Sequence, residues 1–190
     1  MRRKQKSSDI AVISIFFATM LVIHLISTLV FSVWIVPIKP TLVHIPVIIA
    51  SIVYGPKIGS ILGGLMGVIS VVSNSVTILP TSYLFSPFVE NGNLFSLIIA
   101  LVPRILIGVV PYFVYKLFKN RFGLGLAGAL GSLTNTVFVL SGIFLFFSSV
   151  YGGQIKVLLA SIISANSVAE MITSLVLTAI ITPSLLKLKK

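Results

Sequence analysis

Apolar residues run through this chain of 190 residues in six blocks separated by polar or Pro/Gly-marked breaks. The first block, 10–31, is about as long as the ~20 residues needed to cross a bilayer as a helix. Pro37 and Pro40 mark a loop over 32–41. The second block, 42–54, is short for a full span. It ends at Gly55-Pro-Lys-Ile-Gly, which reads as a tight turn. The third block covers 58–72, and residues 73–93, rich in Ser, Asn, Thr and Pro, read as a long loop. The fourth, fifth and sixth blocks cover 94–118, 124–147 and 156–186. The pattern predicts an all-α integral membrane protein of six transmembrane helices. A single membrane domain spans 10–186, between a basic segment 1–9 and a basic tail 187–190. The Met1-Arg-Arg-Lys-Gln-Lys start has the outline of a signal peptide. The apolar run behind it is span-length, however, and no A-x-A site follows, so a retained first helix is expected.

Charge sets the expected orientation. Fourteen Lys and Arg stand against three Asp and Glu, a net +11. In a soluble protein this imbalance would suggest a nucleic-acid partner. Here 57% of residues are hydrophobic and only 9% charged, whereas a soluble domain carries about a quarter charged residues. The cations cluster at block ends: Arg2, Arg3, Lys4 and Lys6; Lys57; Lys116, Lys119 and Arg121; Lys187, Lys189 and Lys190. With six spans all of these fall on one face, and only Lys39 and Lys156 on the other. Cytoplasmic loops are the ones enriched in Lys and Arg. Both termini are therefore expected in the cytoplasm, and the membrane and its anionic headgroups, not nucleic acid, are the expected partners of the charge.

Small residues recur every four positions. Gly55, Gly59, Gly63 and Gly67 do so along the third block, Gly123, Ala127 and Gly131 along the fifth, and Ser161, Ala165, Ala169 and Thr173 along the sixth. Such ridges let helix backbones approach closely where lipid gives no hydrophobic drive. For the third and fifth blocks the expectation is internal packing. Ala11, Ser14 and Ala18 form a small face on the first block, with Phe16 and Phe17 turned elsewhere. That face has two readings: internal packing, or a dock for another membrane protein.

Polar groups inside apolar blocks are costly and mark function. Arg104 stands in Ser96-Leu-Ile-Ile-Ala-Leu-Val-Pro-Arg-Ile-Leu-Ile-Gly-Val-Val-Pro. At ~1.5 Å rise per residue, Arg104 and Asn166 lie roughly 15 Å below the outer ends of their helices, and Glu170 about 21 Å below. Asn135 lies about 17 Å above the inner end of its helix. These groups could hold the carboxylate and hydrogen-bonding groups of a polar, anionic solute. Alternatively, Arg104 and Glu170 form a buried ion pair that only ties two helices together, and Thr134-Asn135-Thr136 is interhelical glue. Pro103 and Pro111 are expected to bend the fourth helix and help open a cavity. In the outer loops, Trp34, Tyr83, Phe85 and Asn93 either sit at headgroup depth or fold down as a lid.

Several chemistries are excluded. The chain has no Cys, which removes disulfides and thiolate chemistry. His24 and His44 have no acidic or sulfur neighbours in sequence, so no metal site and no cofactor is expected. There is no P-loop, HExxH or GxSxG sequence. One Asp and two Glu leave little for acid–base catalysis, so an enzyme is not expected. No inverted repeat relates the halves, which disfavours a stand-alone secondary carrier. A structural or assembly protein remains the other class.

Four stretches carry a resemblance: His44-Ile-Pro-Val-Ile-Ile-Ala-Ser-Ile-Val-Tyr-Gly-Pro-Lys-Ile-Gly59, Thr81-Ser-Tyr-Leu-Phe-Ser-Pro-Phe88, Val102-Pro-Arg-Ile-Leu-Ile-Gly108 and Gly131-Ser-Leu-Thr-Asn-Thr136. With six helices and basic termini, the chain resembles the substrate-binding S components of energy-coupling factor (ECF) vitamin transporters, most of all the pantothenate-type branch. Folate- and riboflavin-type members share its glycine-rich third helix and polar sixth helix. The resemblance implies a multi-pass protein of the bacterial cytoplasmic membrane. It implies vitamin capture from outside, in a pocket of helices four to six capped by loops one and three. Arg104, Thr134, Asn135, Asn166 and Glu170, with Trp34, Tyr83, Phe85 and Asn93 above them, are the substrate-binding candidates. The implied partners are a transmembrane coupling subunit and two ATPases, which would hydrolyse the ATP that this chain has no P-loop to bind. In the family an Ala-x-x-x-Ala face on helix one meets the coupling subunit. Here its counterpart is Ser14-x-x-x-Ala18, with Ala11 one turn earlier.

Overall fold

A computed structural model describes the backbone of residues 2–32, 41–147 and 153–189, and within these the side chains of 8–30, 41–147 and 166–189. The described residues form seven helices and one short turn: α1 (Arg2–Ser32), α2 (His44–Tyr54), α3 (Pro56–Val76), a 3-10 turn (Ser82–Leu84), α4 (Leu94–Ile107), α5 (Val110–Leu117), α6 (Arg121–Phe146) and α7 (Gly153–Leu188). The described residues contain no strand. Among the described residues five stretches are long and apolar enough to cross a membrane: Ser8–Val30, Pro56–Val76, Leu94–Leu117, Arg121–Phe146 and Asn166–Leu188. The sixth block forms the last of these, and the second block, α2, is apolar but only 11 residues long.

α2 is the axis of the bundle. Every residue from His44 to Val53 is buried, because α1, α3, α5, α6 and α7 all pack against it. Val47, Ile48, Ile52, Leu62, Met66 and Ile107 form the centre of this core. A helix buried on all sides shows no polar stripe, which explains the uninterrupted apolar run His44-Ile-Pro-Val-Ile-Ile-Ala. Gly55 then adopts φ of 100°, a conformation open to glycine at little cost. Pro56 follows at the first position of α3, where its missing N–H is not needed.

The glycine ladder of α3 seats α4. A Cβ added at Gly59 would lie 2.1 Å from the carbonyl oxygen of Gly108, one at Gly63 2.1 Å from that of Arg104, and one at Gly67 2.8 Å from that of Ala100. Three successive turns of α3 thus rest directly on the backbone of α4. The height of Arg104 in the bundle is set by this contact. Gly63→Val is therefore expected to destabilise the protein by about 1–3 kcal/mol through overpacking, and to displace the turn that carries Arg104. At Gly64 an added Cβ meets only the Ile105 side chain, at 3.9 Å, so Gly64→Val should be nearly neutral. Thermal unfolding of both variants in detergent checks the contrast.

Three element boundaries differ most from the sequence expectation. The fourth block is two helices, not one over 94–118. Pro111 cannot donate to the carbonyl of Ile107, and α4 closes on Gly108 and Val109 with short-range bonds to Ile105 and Leu106. The third helix runs past 72 to Val76. Its last turn looked like a loop because it is polar, but the polar groups bond back to the helix: Asn74 Nδ2 donates to Ser70 O at 2.8 Å and Ser75 Oγ to Val71 O at 2.7 Å. The first helix begins at Arg2 instead of 10.

α1 lies on the outside of the bundle. Met20 is its one buried side chain among the described residues, whereas Ala11, Ser14 and Ala18 are exposed. Phe16 and Phe17 pack against the central core. His24 Nε2 meets Ser73 Oγ at 3.0 Å, a polar tie between α1 and α3.

Candidate functional site

A cavity of about 450 Å³ opens between α3, α4, α6 and α7. Arg104 comes from α4, Asn135 and Thr136 from α6, and Asn166, Ser167 and Glu170 from α7. Ser70 and Asn74 of α3 form another wall, Thr41 borders it beside α2, and Thr81, Leu84 and Phe85 cover one side. A larger crevice of about 630 Å³ between α1 and α3 is walled mainly by apolar side chains such as Phe17, Leu21, Val68 and Val72. Of these two, the first cavity is the one that gathers Arg104, Glu170 and several amide groups. Its size falls within the ~300–1,000 Å³ of small-molecule sites.

Local sequence explains how Arg104 is held. Pro103 has no N–H, so the carbonyl of Ile99, four residues earlier, loses its helical donor. Arg104 Nη1 donates to that carbonyl at 2.7 Å. The guanidinium carbon lies 5.1 Å from the centre of the Phe85 ring, a cation–π distance. Nε is buried and has no hydrogen-bond partner. Among the described residues no ion pair joins Arg104 to Glu170. The interhelical ion pair that one reading of the sequence anticipated is therefore not present between these two residues.

Glu170 is held by a different group. Its Oε1 accepts from Thr41 N at 2.7 Å and from Thr41 Oγ1 at 2.8 Å. One turn along α7, Ser174 Oγ lies 2.6 Å from His44 Nε2. Thr136 Oγ1 donates to Ser167 Oγ at 2.6 Å, tying α6 to α7 at the cavity wall. Asn135 Oδ1 is buried without a partner. A buried polar atom left unpaired costs about 1–3 kcal/mol. An unpaired guanidinium nitrogen and an unpaired amide oxygen on one cavity are thus two positions where a bound molecule would be stabilised.

The sequence candidates divide. Arg104, Asn135, Asn166, Glu170 and Phe85 line the cavity. Thr134 does not: its Oγ1 donates to Leu130 O at 2.6 Å within α6. Asn93 caps α4, with Oδ1 accepting from Phe95 N at 2.9 Å and its own N–H donating to Ser96 Oγ. Tyr83 packs edge-on against Phe147, ring centres 5.6 Å apart, and is not part of the cavity lining. Trp34 lies outside the described residues. Ser70 and Thr41 line the cavity without having been singled out from sequence, and Thr136 and Ser167, beside Asn135 and Asn166 in polar stretches, join them. Ser70 and Asn74, four apart, would have signalled a polar helical face had the third helix been extended to Val76. No cluster of three metal-ligating side chains occurs among the described residues.

A protein-family profile described as "ECF transporter, substrate-specific component" matches residues 8–182. The chain belongs to this family. Two relatives lie close to it. The pantothenic acid transporter PanT of Lactococcus lactis subsp. cremoris is 47% identical over 190 residues, covering 97% of each chain. The pantothenate transporter PanT of Leuconostoc mesenteroides is 30% identical over 166 residues, covering 77% of this chain and 75% of the relative. As an ECF substrate-specific component the protein is part of a transporter, and it is a multi-pass protein of the cytoplasmic membrane.

Proposed function

We propose that this protein is the pantothenate-binding subunit of an ECF-type ABC importer. It binds the vitamin from outside and delivers it with a transmembrane coupling subunit and two ATPases. The observation that carries the reading is the buried Arg104 guanidinium, unpaired at Nε, on a cavity of about 450 Å³. Pantothenate offers one carboxylate, one amide and two hydroxyls. Arg104 pairs the carboxylate, since a guanidinium fork matches that group's geometry. Asn135 and Asn166 take the amide, and Phe85 stacks over the cation. The names of the two relatives support pantothenate over other vitamins.

In this reading the chain crosses the membrane six times, with α2 as a short, protein-enclosed span. Both termini and the Lys/Arg-rich ends lie in the cytoplasm, as the positive-inside rule requires. The cavity then faces outward, with residues 77–93 above it. That segment is anchored: Leu79 N donates to Ser82 Oγ at 2.8 Å and Ser96 Oγ to Tyr83 O at 2.6 Å. The exposed Ala11, Ser14 and Ala18 of α1 meet the coupling subunit. An exposed small-residue face suits close helix packing between subunits. Residues 10–186 form the membrane domain of this unit.

Uptake into proteoliposomes tests the mechanism. Labelled pantothenate should accumulate only when this protein, the coupling subunit and both ATPases are present with internal ATP. Accumulation by this protein alone would instead mark a stand-alone carrier.

A further inference from the structure

Glu170 lines the cavity, yet one of its oxygens is already committed. Oε1 accepts both the backbone N–H and the hydroxyl of Thr41, at 2.7 and 2.8 Å. Its second oxygen makes no hydrogen bond to any described residue and is not among the fully enclosed, unpartnered atoms. Two donors on one oxygen fix a carboxylate's rotation. The tie is reinforced one turn along α7 by the buried contact of Ser174 Oγ with His44 Nε2 at 2.6 Å, in the first turn of α2. The start of α2 is thus pinned to α7 at two heights, and the carboxylate lines the cavity with one oxygen not hydrogen-bonded among the described residues.

A free carboxylate oxygen accepts hydrogen bonds and repels anions. It complements a part of the solute distinct from the part bound by Arg104. Asn135 Oδ1, buried and unpartnered, already offers an acceptor for an amide N–H. The donors left over on the proposed solute are its hydroxyls. We infer that Thr41 is a positioning residue that locks Glu170 so that its second oxygen reads a hydroxyl of the bound anion. The inference rests on the pantothenate reading above. It defines the accepted solutes as monoanions with a hydroxyl donor at the end remote from the carboxylate. Dicarboxylates are rejected, because their second charge would meet Glu170.

The test pairs variants with a ligand change. Purified full-length protein is titrated calorimetrically with pantothenate and with N-(3,3-dimethylbutanoyl)-β-alanine, which keeps the carboxylate and amide but lacks both hydroxyls. Thr41→Val keeps the side-chain shape and removes the hydroxyl donor. It should weaken pantothenate about tenfold, the scale of one hydrogen bond to a charged group, and change the analogue less than about twofold. Thr41→Ser should restore pantothenate affinity to within about threefold. Glu170→Gln should show the same selectivity, which covers the case of a poorly folding Thr41→Val. Equal weakening of both ligands by Thr41→Val, no weakening of either, or wild-type protein that binds the analogue as tightly as pantothenate would each overturn the inference while leaving pantothenate binding standing. Wild-type protein that binds neither compound would overturn the pantothenate reading itself, and this inference with it.

Discussion

Arg104→Ala is expected to weaken pantothenate binding by about two to three orders of magnitude. Truncating one partner of a buried charged pair costs about 2–5 kcal/mol, and each ~1.4 kcal/mol is tenfold in affinity. The apo protein should stay folded with a loss of about 1–3 kcal/mol, because the change leaves the Ile99 carbonyl without a donor. Arg104 has no carboxylate partner among the described residues to strand, and its one hydrogen bond is to Ile99 O at 2.7 Å. Assembly with the coupling subunit should be intact, because Arg104 is 8% exposed and lies inside the bundle, away from the α1 face. Arg104→Lys should recover only part of the loss. A single ammonium cannot hold the Ile99 carbonyl and a bidentate carboxylate at once. Calorimetric titration with co-purification of the coupling subunit checks all three points. Unchanged affinity in Arg104→Ala would remove the carboxylate role.

Ala18→Trp is expected to have the opposite signature: binding by the isolated protein within about twofold of wild type, and vitamin uptake by the complex near background. Ala18 is exposed on the outer face of α1, and α1 buries little of itself against the bundle. A bulky ring there meets no wall of the cavity. It would separate two helices whose contact depends on small residues. Proteoliposome uptake measured beside titration of the same preparation checks it. Full uptake would move the coupling interface off this face.

How far the sequence carried these conclusions depended on the kind of signal. Block length and hydropathy predicted an all-helical membrane bundle because lipid admits few other backbones, and the described residues hold five long apolar stretches plus the short α2. Depth counting along ideal helices brought Arg104, Asn135, Asn166 and Glu170 to similar heights, and all four line one cavity. Pairings were not legible in the same way. Opposite charge suggested Arg104 with Glu170, but helix rotation and the tight Gly63–Arg104 backbone contact decide which atoms meet. Glu170 instead takes Thr41, 129 residues away in sequence. Asn93 looked like a ligand group because Asn suits both binding and capping, and here it caps α4. The break after Ile107 followed from Pro111, whose effect was anticipated as a bend and is a full interruption of the helix.

This protein alone should bind pantothenate. Isothermal titration of the detergent-purified, folded protein with pantothenate, then folate, riboflavin and thiamine, tests it most directly. The account predicts sub-micromolar binding of pantothenate and none of the other three. Tight binding of another vitamin, or no binding by protein shown to be folded, would contradict it.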